Sequence, residues 1–429
     1  MKPFAPPRAR DAVLTLTQPA VFTDMTSDWP ALRWNAAHLS GVLGGELLRF
    51  RIGRRTSGTD PLFETECDYA DGTLHQFLDW VRGTSGSLTG PFGNRDPSEY
   101  WAYADYKYLA HVFKDKPEIL KDIVWADFGF PGRDGQESTL WVGSSGANTP
   151  CHIDSYGCNL VLQVEGRKTW HLFPPEDAAH LYPTRIPYEE SSVFSKVNVV
   201  NPDWSRFPLF SKARPHVVTL HPGQVLFVPR HWWHYVESVD DITVSINSWI
   251  ELDSDHEARV EEAVARMIVC AFKSVETGAQ DWLNPTEGEA TSHETNLQYV
   301  NQALAAYAKH ETEQDKLGGD GSQHNQPPKK KKKVDAAADA GNSARRPPFG
   351  KHLVPVEPKP GGTNCRTGEG GRGPEEIPRR AADVAHVQET QEGEREAGRT
   401  LTGDEVLDCL VNPQVIRLVT RLLIQKRIP

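Results

Sequence analysis

With 429 residues, a formal net charge of −11 and 38% hydrophobic residues, the chain can bury a sizeable core, and its acidity argues against a broad nucleic-acid surface. No run approaches the ~18 apolar residues of a membrane span, and MKPFAPPRAR has basic residues without an apolar core, so neither a membrane helix nor a secretory signal is read. Six cysteines at scattered positions, with no CxxC, fit reduced thiols in a cytoplasmic or nuclear protein rather than a disulfide framework or a thiolate zinc site.

From the start, VLTLTQPAVF (Val13 to Phe22) is expected to be a strand, followed by a turn at Asp28-Trp29-Pro30. A short helix ending near Gly44-Gly45 and a strand, LLRFRI, come next. Leu74, Phe77, Leu78 and Val81 recur at helical spacing and mark a helix packed on a sheet. YWAYADYKYLAHVF reads as an aromatic strand running into a helix, with Tyr100, Tyr103, Tyr106 and Tyr108 mostly filling core.

TLWV is a strand, GSSGANTP a glycine-rich connection, and CHID a second strand. Side chains at i and i+2 of a strand leave the same face, so His152 and Asp154 can hold one ion while Cys151 points the other way. In the next strand Asn159, Val161 and Gln163 share one face and Leu160, Leu162 and Val164 the other. After the turn at Gly166, Lys168, Trp170 and Leu172 share a face, with Arg167 pointing away.

Ala178 to Pro215 carries little strand signal and reads as a long loop, of the kind that is often functional. PGQVLFVPRHWWHYVES then brings His231 and His234, which three positions apart face opposite sides of a regular strand, so only one can join His152 and Asp154. In ITVSINSW, Ser245, Asn247 and Trp249 share a face opposite Val244, Ile246 and Ile250.

Beyond Ser254, expected as an N-cap, Val260, Val264, Met267, Ile268 and Ala271 form one helical stripe, and Leu297, Val300, Leu304 and Tyr307 a second. From Lys316 to Arg399, Gly, Pro, Gln and charge dominate and disorder is expected. Within it PPKKKKKV, Pro327 to Val334, looks like a nuclear import signal, or a plain solvated tract. Helical period returns through Val406, Leu410, Val415, Val419 and Leu422, broken at Asn412-Pro413, and suggests a helix that docks on its own domain or on a partner, the partner being preferred.

Two imidazoles and one carboxylate on one face of an ion leave the opposite positions open, the pattern of non-haem Fe(II) oxygenases. The linked segments TPCHID, EGRKTWHLFPP, HPGQVLFVPRHWWHYVES and ITVSINSW, with QPAVFTDMTSDWPALRW upstream, resemble the JmjC family of Fe(II)- and 2-oxoglutarate-dependent oxygenases in its compact hydroxylase form. The resemblance implies a mainly β fold, a double-stranded β-helix (jelly-roll, cupin-like) with flanking helices and a disordered C-terminal tail. The expected divisions are 1–110, a segment packing on the barrel; 111–252, the JmjC core; 253–315, helices; 316–399, linker; and 400–429, a terminal amphipathic helix.

The same resemblance selects His234 as the third ligand, with His152 and Asp154, for Fe(II). It implies 2-oxoglutarate held through Lys168, Thr149 and Tyr103 beside Asn159 and Asn247, O2 as oxidant, and a protein or peptide side chain as substrate. A buried diacid needs a fixed cation, which gives Lys168 its role. Tyr188, Trp204 and Arg206 are candidates for peptide contact or for a packed surface turn. Resemblance to members associated with a small heat-shock protein implies such a partner, with a scaffold role as the rival to hydroxylation and N-methyl demethylation as a further alternative. It also implies C-terminal helices that either pair two subunits or pack on their own barrel.

Overall fold

The computed structural model describes residues 1–55, 58–83, 90–93, 95–274, 282–287, 290–318, 349–359 and 401–427. In chain order its strands are β1 (Ala20–Phe22), β2 (Leu47–Arg54), β3 (Asp68–Thr73), β4 (Tyr100–Tyr108), β5 (Thr139–Ser144), β6 (Asn148–Asp154), β7 (Cys158–Glu165), β8 (Lys168–Phe173), β9 (Pro183–Glu189), β10 (Ser192–Ser195), β11 (His216–Leu220), β12 (Val225–Val228), β13 (Trp233–Ser238), β14 (Ile242–Ile250) and β15 (Leu353–Pro355). They form two antiparallel sheets, ordered β15-β1-β12-β7-β14-β5-β4-β2-β3 and β11-β8-β13-β6-β10-β9.

Strands distant in sequence are neighbours in space: β6 lies between β13 and β10, and β7 between β12 and β14. This interleaving is the jelly-roll, cupin-like arrangement, and it carries Thr149–Asp154 to the side of Trp233–Ser238. Alternation along β7 and β14 decides what each face meets. Leu160, Leu162, Val244 and Ile246 pack into the main core with Trp34, Trp125 and Phe128, while Asn159, Val161, Ser245, Asn247 and Trp249 line a cavity.

Helices cover the outside: α1 (Pro6–Thr15), α2 (Ala36–Leu43), α3 (Leu74–Val81), α4 (Leu109–Val112), α5 (Asp255–Lys273), α6 (His293–Gly318), α7 (Gly403–Leu410) and α8 (Pro413–Arg427). In α3, Thr73 and Gln76 cap the N-terminus reciprocally, and Leu74, Phe77 and Leu78 are buried, as the spacing predicts.

Several expectations need correction. The stretch from Val13 to Phe22 is not one strand, since α1 runs to Thr15 and only Ala20–Phe22 is extended. Prolines in the first turn favour helix initiation, and Ala9, Ala12 and Val13 bury one face, which overrides the β-branched character of the segment. The segment 178–215 contains β9 and β10, and β10 pairs with β6 directly beside His152. Ser254 makes no side-chain cap. The carboxylate of Asp255 accepts instead from the amides of Leu252 and Gly157.

Inside the segment expected to be disordered, β15 adds to the edge of the larger sheet through β1. The lysine run lies outside the described residues. The terminal segment breaks at Asn412-Pro413, but it docks on its own molecule: Leu407 and Val411 pack near Val269 and Cys270 of α5, and Ile416 against Val260 and Val264. The buried stripe is Leu407, Val411, Ile416 and Thr420, whereas Val406, Leu410, Val415 and Leu422 are exposed. The helix is apolar on two sides, so periodicity alone picked the outer one. Ile416→Ala should loosen this docking, and hydrogen exchange should rise across Pro413–Arg427 with the exchange of β6, β7 and β13 unchanged.

Candidate metal centre and adjoining pocket

The pairing of β13 with β6 sets His234 opposite His152, their ring centroids 4.2 Å apart. Asp154, two residues along β6, joins them. One ligand atom from each of His152, Asp154 and His234 lies within 4.8 Å of the others. The Nδ1 of His152 is 2.9 Å from the carbonyl of Pro150, and that of His234 is 2.9 Å from the carbonyl of Trp232. Because a carbonyl only accepts, both rings carry a proton on Nδ1 and turn Nε2 inward.

The Nε1 of Trp249 donates to Asp154 Oδ2 at 3.0 Å. Burial pushes the Asp154 carboxyl up, but the two imidazoles and this indole N–H outweigh it and bring the group down to about 2. Burial also lowers His234, to about 4, with His152 adding to the effect. Burial disfavours a proton on His152, but its hydrogen bond and charge pairing with Asp154 outweigh burial and raise it. A divalent ion would displace that proton, and two imidazole nitrogens with one carboxylate fit an oxygen- and nitrogen-preferring ion.

On the same cavity wall, Lys168 is 2% exposed. Its ammonium donates to Ser245 Oγ at 2.8 Å and Tyr103 Oη at 3.2 Å, with no carboxylate at ion-pair distance among the described residues. Burial lowers it to about 7. Thr149 Oγ1 and Trp170 Nε1 are buried nearby without a hydrogen-bond partner. A buried cation surrounded by neutral and orphaned polar atoms is a cradle for an anion. Asn247 donates to Asn159 Oδ1 at 2.9 Å and accepts from Trp141 Nε1 at 2.7 Å, fixing both amides in the wall.

The predicted residues His152, Asp154, His234, Lys168, Thr149, Tyr103, Asn159 and Asn247 thus line one cavity. Tyr103 reaches it across Gly143 of β5, where an added Cβ would stand 3.0 Å from the tyrosine ring. His231 sits in a turn with φ 63° ahead of β13 rather than on the strand. Tyr188 is fully buried with its hydroxyl donating to Glu262, so it is a packing residue and not a peptide contact. Trp204 and Arg206 remain at the surface, the latter paired with Asp60. Trp249 as the donor to Asp154, and Ser245 as the partner of Lys168, were not singled out for those roles. Their shared strand face with Asn247 was the available signal.

A family model described as a cupin-like domain matches residues 6–256. The chain belongs to the cupin-like JmjC family. HSPB1-associated protein 1 of Rattus norvegicus is 52% identical over 99% of this chain and 94% of its own length. The HSPB1-associated protein 1 homolog of Danio rerio is 48% identical over 98% and 97%. Lysine-specific demethylase 8 of Danio rerio is 30% identical over 56% of this chain and 55% of its own. That shorter match is about the length of the JmjC barrel with its N-terminal segment, whereas the HSPB1-associated proteins match almost the whole chain.

Trp249→Phe keeps an aromatic ring, smaller than the indole, and removes the donor to Asp154. It should weaken divalent-metal affinity by about tenfold to a hundredfold, read by calorimetric titration with Mn(II), whereas Trp141→Phe should leave that affinity within about twofold of the parent.

Proposed function

We propose that the protein is an Fe(II)- and 2-oxoglutarate-dependent oxygenase acting on a polypeptide side chain, by hydroxylation. The observation that carries this reading is the buried ammonium of Lys168, with no carboxylate at ion-pair distance among the described residues, in the same cavity as His152, Asp154 and His234. In this reading the two Nε2 atoms and Asp154 would hold ferrous iron, and Lys168, Thr149 and Tyr103 would receive the far carboxylate of the diacid. When bound, the iron with 2-oxoglutarate and O2 supplies the oxidising chemistry that a C–H bond requires.

The protein's own contribution is positional. Trp249 holds one oxygen of Asp154, Ser245 and Tyr103 aim the ammonium, and Val161, Trp170 and Val236 keep the cavity walls apolar and limit water. N-methyl demethylation would use the same groups, and its support is the name of the shorter-matching relatives.

A second reading, association with a small heat-shock protein, is supported by the printed names of relatives that match almost end to end. The exposed Val415, Leu418 and Leu422 of α8 offer an apolar stripe for it. Removing residues 401–429 should abolish co-precipitation with such a protein in this reading. Retained binding would exclude α8 as the contact.

Succinate release by the purified, iron-loaded protein tests the enzyme. Asp154→Ala should reduce it to background, and equal rates in parent and variant would eliminate the oxygenase reading. Lys168→Met should weaken 2-oxoglutarate binding by roughly tenfold to a hundredfold, the worth of a charge-assisted hydrogen bond. Since the free ammonium loses its proton near pH 7 and a bound diacid favours the charged form, binding should take up a proton above that pH. Affinity should then fall by up to about tenfold per unit as pH rises from 7, measurable by titration calorimetry in buffers of different ionisation enthalpy.

A further inference from the structure

The cavity around the metal cluster opens into a second one, and Tyr106, Asp154 and Trp249 line both. The outer cavity, about 490 Å³, lies between the end of β4, the β9–β10 turn and the end of β14. It meets a further cavity of about 580 Å³ with which it shares Tyr156, Glu190, Arg259 and Glu287, and which follows α5 and α6. Its α6 wall runs from Tyr299 to Ala306, about 10 Å at 1.5 Å per residue. That is room for about three residues of extended chain beyond those in the outer cavity.

The charges along this groove are unbalanced. Asp154, Glu189, Glu190, Glu251, Asp255 and Glu287 line the outer cavity, against the single cation Arg259, which stacks over Tyr156. Most of the acids are already engaged. Glu287 pairs with Arg266 at 2.7 Å, Glu251 with Arg133, and Asp255 takes backbone amides.

Glu189 and Glu190 differ: among the described residues neither has a cation at ion-pair distance. Glu189 is only 7% exposed and is held by neutral donors alone, the hydroxyls of Tyr106 at 3.1 Å and Ser192 at 3.0 Å and the amide of Asn284. The amide oxygen of Asn284 is itself buried without a donor. Glu190, at the open edge, accepts from the hydroxyl of Tyr156 at 3.0 Å. A deep carboxylate held only by neutral donors, as Glu189 is, loses solvation that an arriving cation restores, and the same acidity repels phosphate, which disfavours a nucleic acid here.

We propose that this groove seats an extended, basic stretch of polypeptide. A lysine or arginine flanking the residue presented at the metal lies against Glu189 and Glu190, and the following residues run past Tyr156 and Tyr299 along α5 and α6. This rests on the oxygenase reading for which residue meets the metal, while the charge preference is tested without turnover.

The experiment is fluorescence anisotropy with the full chain, Mn(II) and 2-oxoglutarate, using labelled fifteen-residue peptides of one Gly/Ala/Ser/Tyr background carrying three lysines, three glutamines or three glutamates. The lysine peptide should bind at least about tenfold tighter than the glutamine peptide and the glutamate peptide weakest, in line with complementary charge. Glu190→Gln, at the solvent edge and outside the buried network, should reduce that preference by about threefold or more, and Glu189→Gln with it should remove it. Glu46→Gln, at an exposed position that lines neither cavity, should change nothing. Equal affinity for the lysine and glutamine peptides overturns the proposal, as does a loss equally large in Glu46→Gln, which marks a general charge effect. The two readings fail separately. A chain that discriminates between the peptides but releases no succinate keeps the groove and ends the oxygenase reading; one that turns over without discriminating does the reverse.

Discussion

The register of β13 on β6 is the constraint on which the site depends. Placing His234 opposite His152 sets two imidazoles side by side, and the alternation of β6 then delivers Asp154 to the same side. A slip of one residue would turn His234 out of the barrel and bring in Trp233 or Tyr235, both of which now pack with Cys151 and Phe173 on the opposite face. The burial of Cys151 among those aromatic residues therefore helps to hold the histidines where they are.

A second constraint is electrostatic. The cavity combines a carboxylate and two imidazoles, which offset one another's burial, with a lysine whose partners are hydroxyls and whose burial no carboxylate among the described residues offsets at ion-pair distance. In the proposed reading, a metal ion joins the carboxylate and imidazoles at one end and an anion meets the lysine at the other. The groove outside shows the opposite sign: among the described residues Glu189 and Glu190 have no cation at ion-pair distance, as Lys168 has no carboxylate. The fold sustains these unmet charges because the core beneath, built on Leu160, Leu162, Val244, Ile246 and the aromatic residues of the helices, is apolar and closed.

Sequence alone determined the strand faces around the site, the pairing of His152 with Asp154 and the isolation of Cys151, because alternation with period two is a local property of an extended chain. The helix at Leu74 and the break at Asn412-Pro413 were equally legible from spacing and from proline stereochemistry. Motif resemblance, rather than spacing, selected His234 over His231, and the turn at His231 with its positive φ is a feature that alternation cannot express.

Tertiary structure decided the rest. Whether Tyr103 or Tyr106 meets Lys168 depends on the irregularity of β4 against β5 between Ala104 and Lys107, and on the space left by Gly143, both products of pairing between distant segments. Which side of α7 and α8 is buried depends on α5 being there to receive it, and the helices offer apolar residues on both sides. The strands β9, β10 and β15 exist because neighbouring edges supply their hydrogen bonds, a long-range satisfaction of backbone polarity that no local pattern announces.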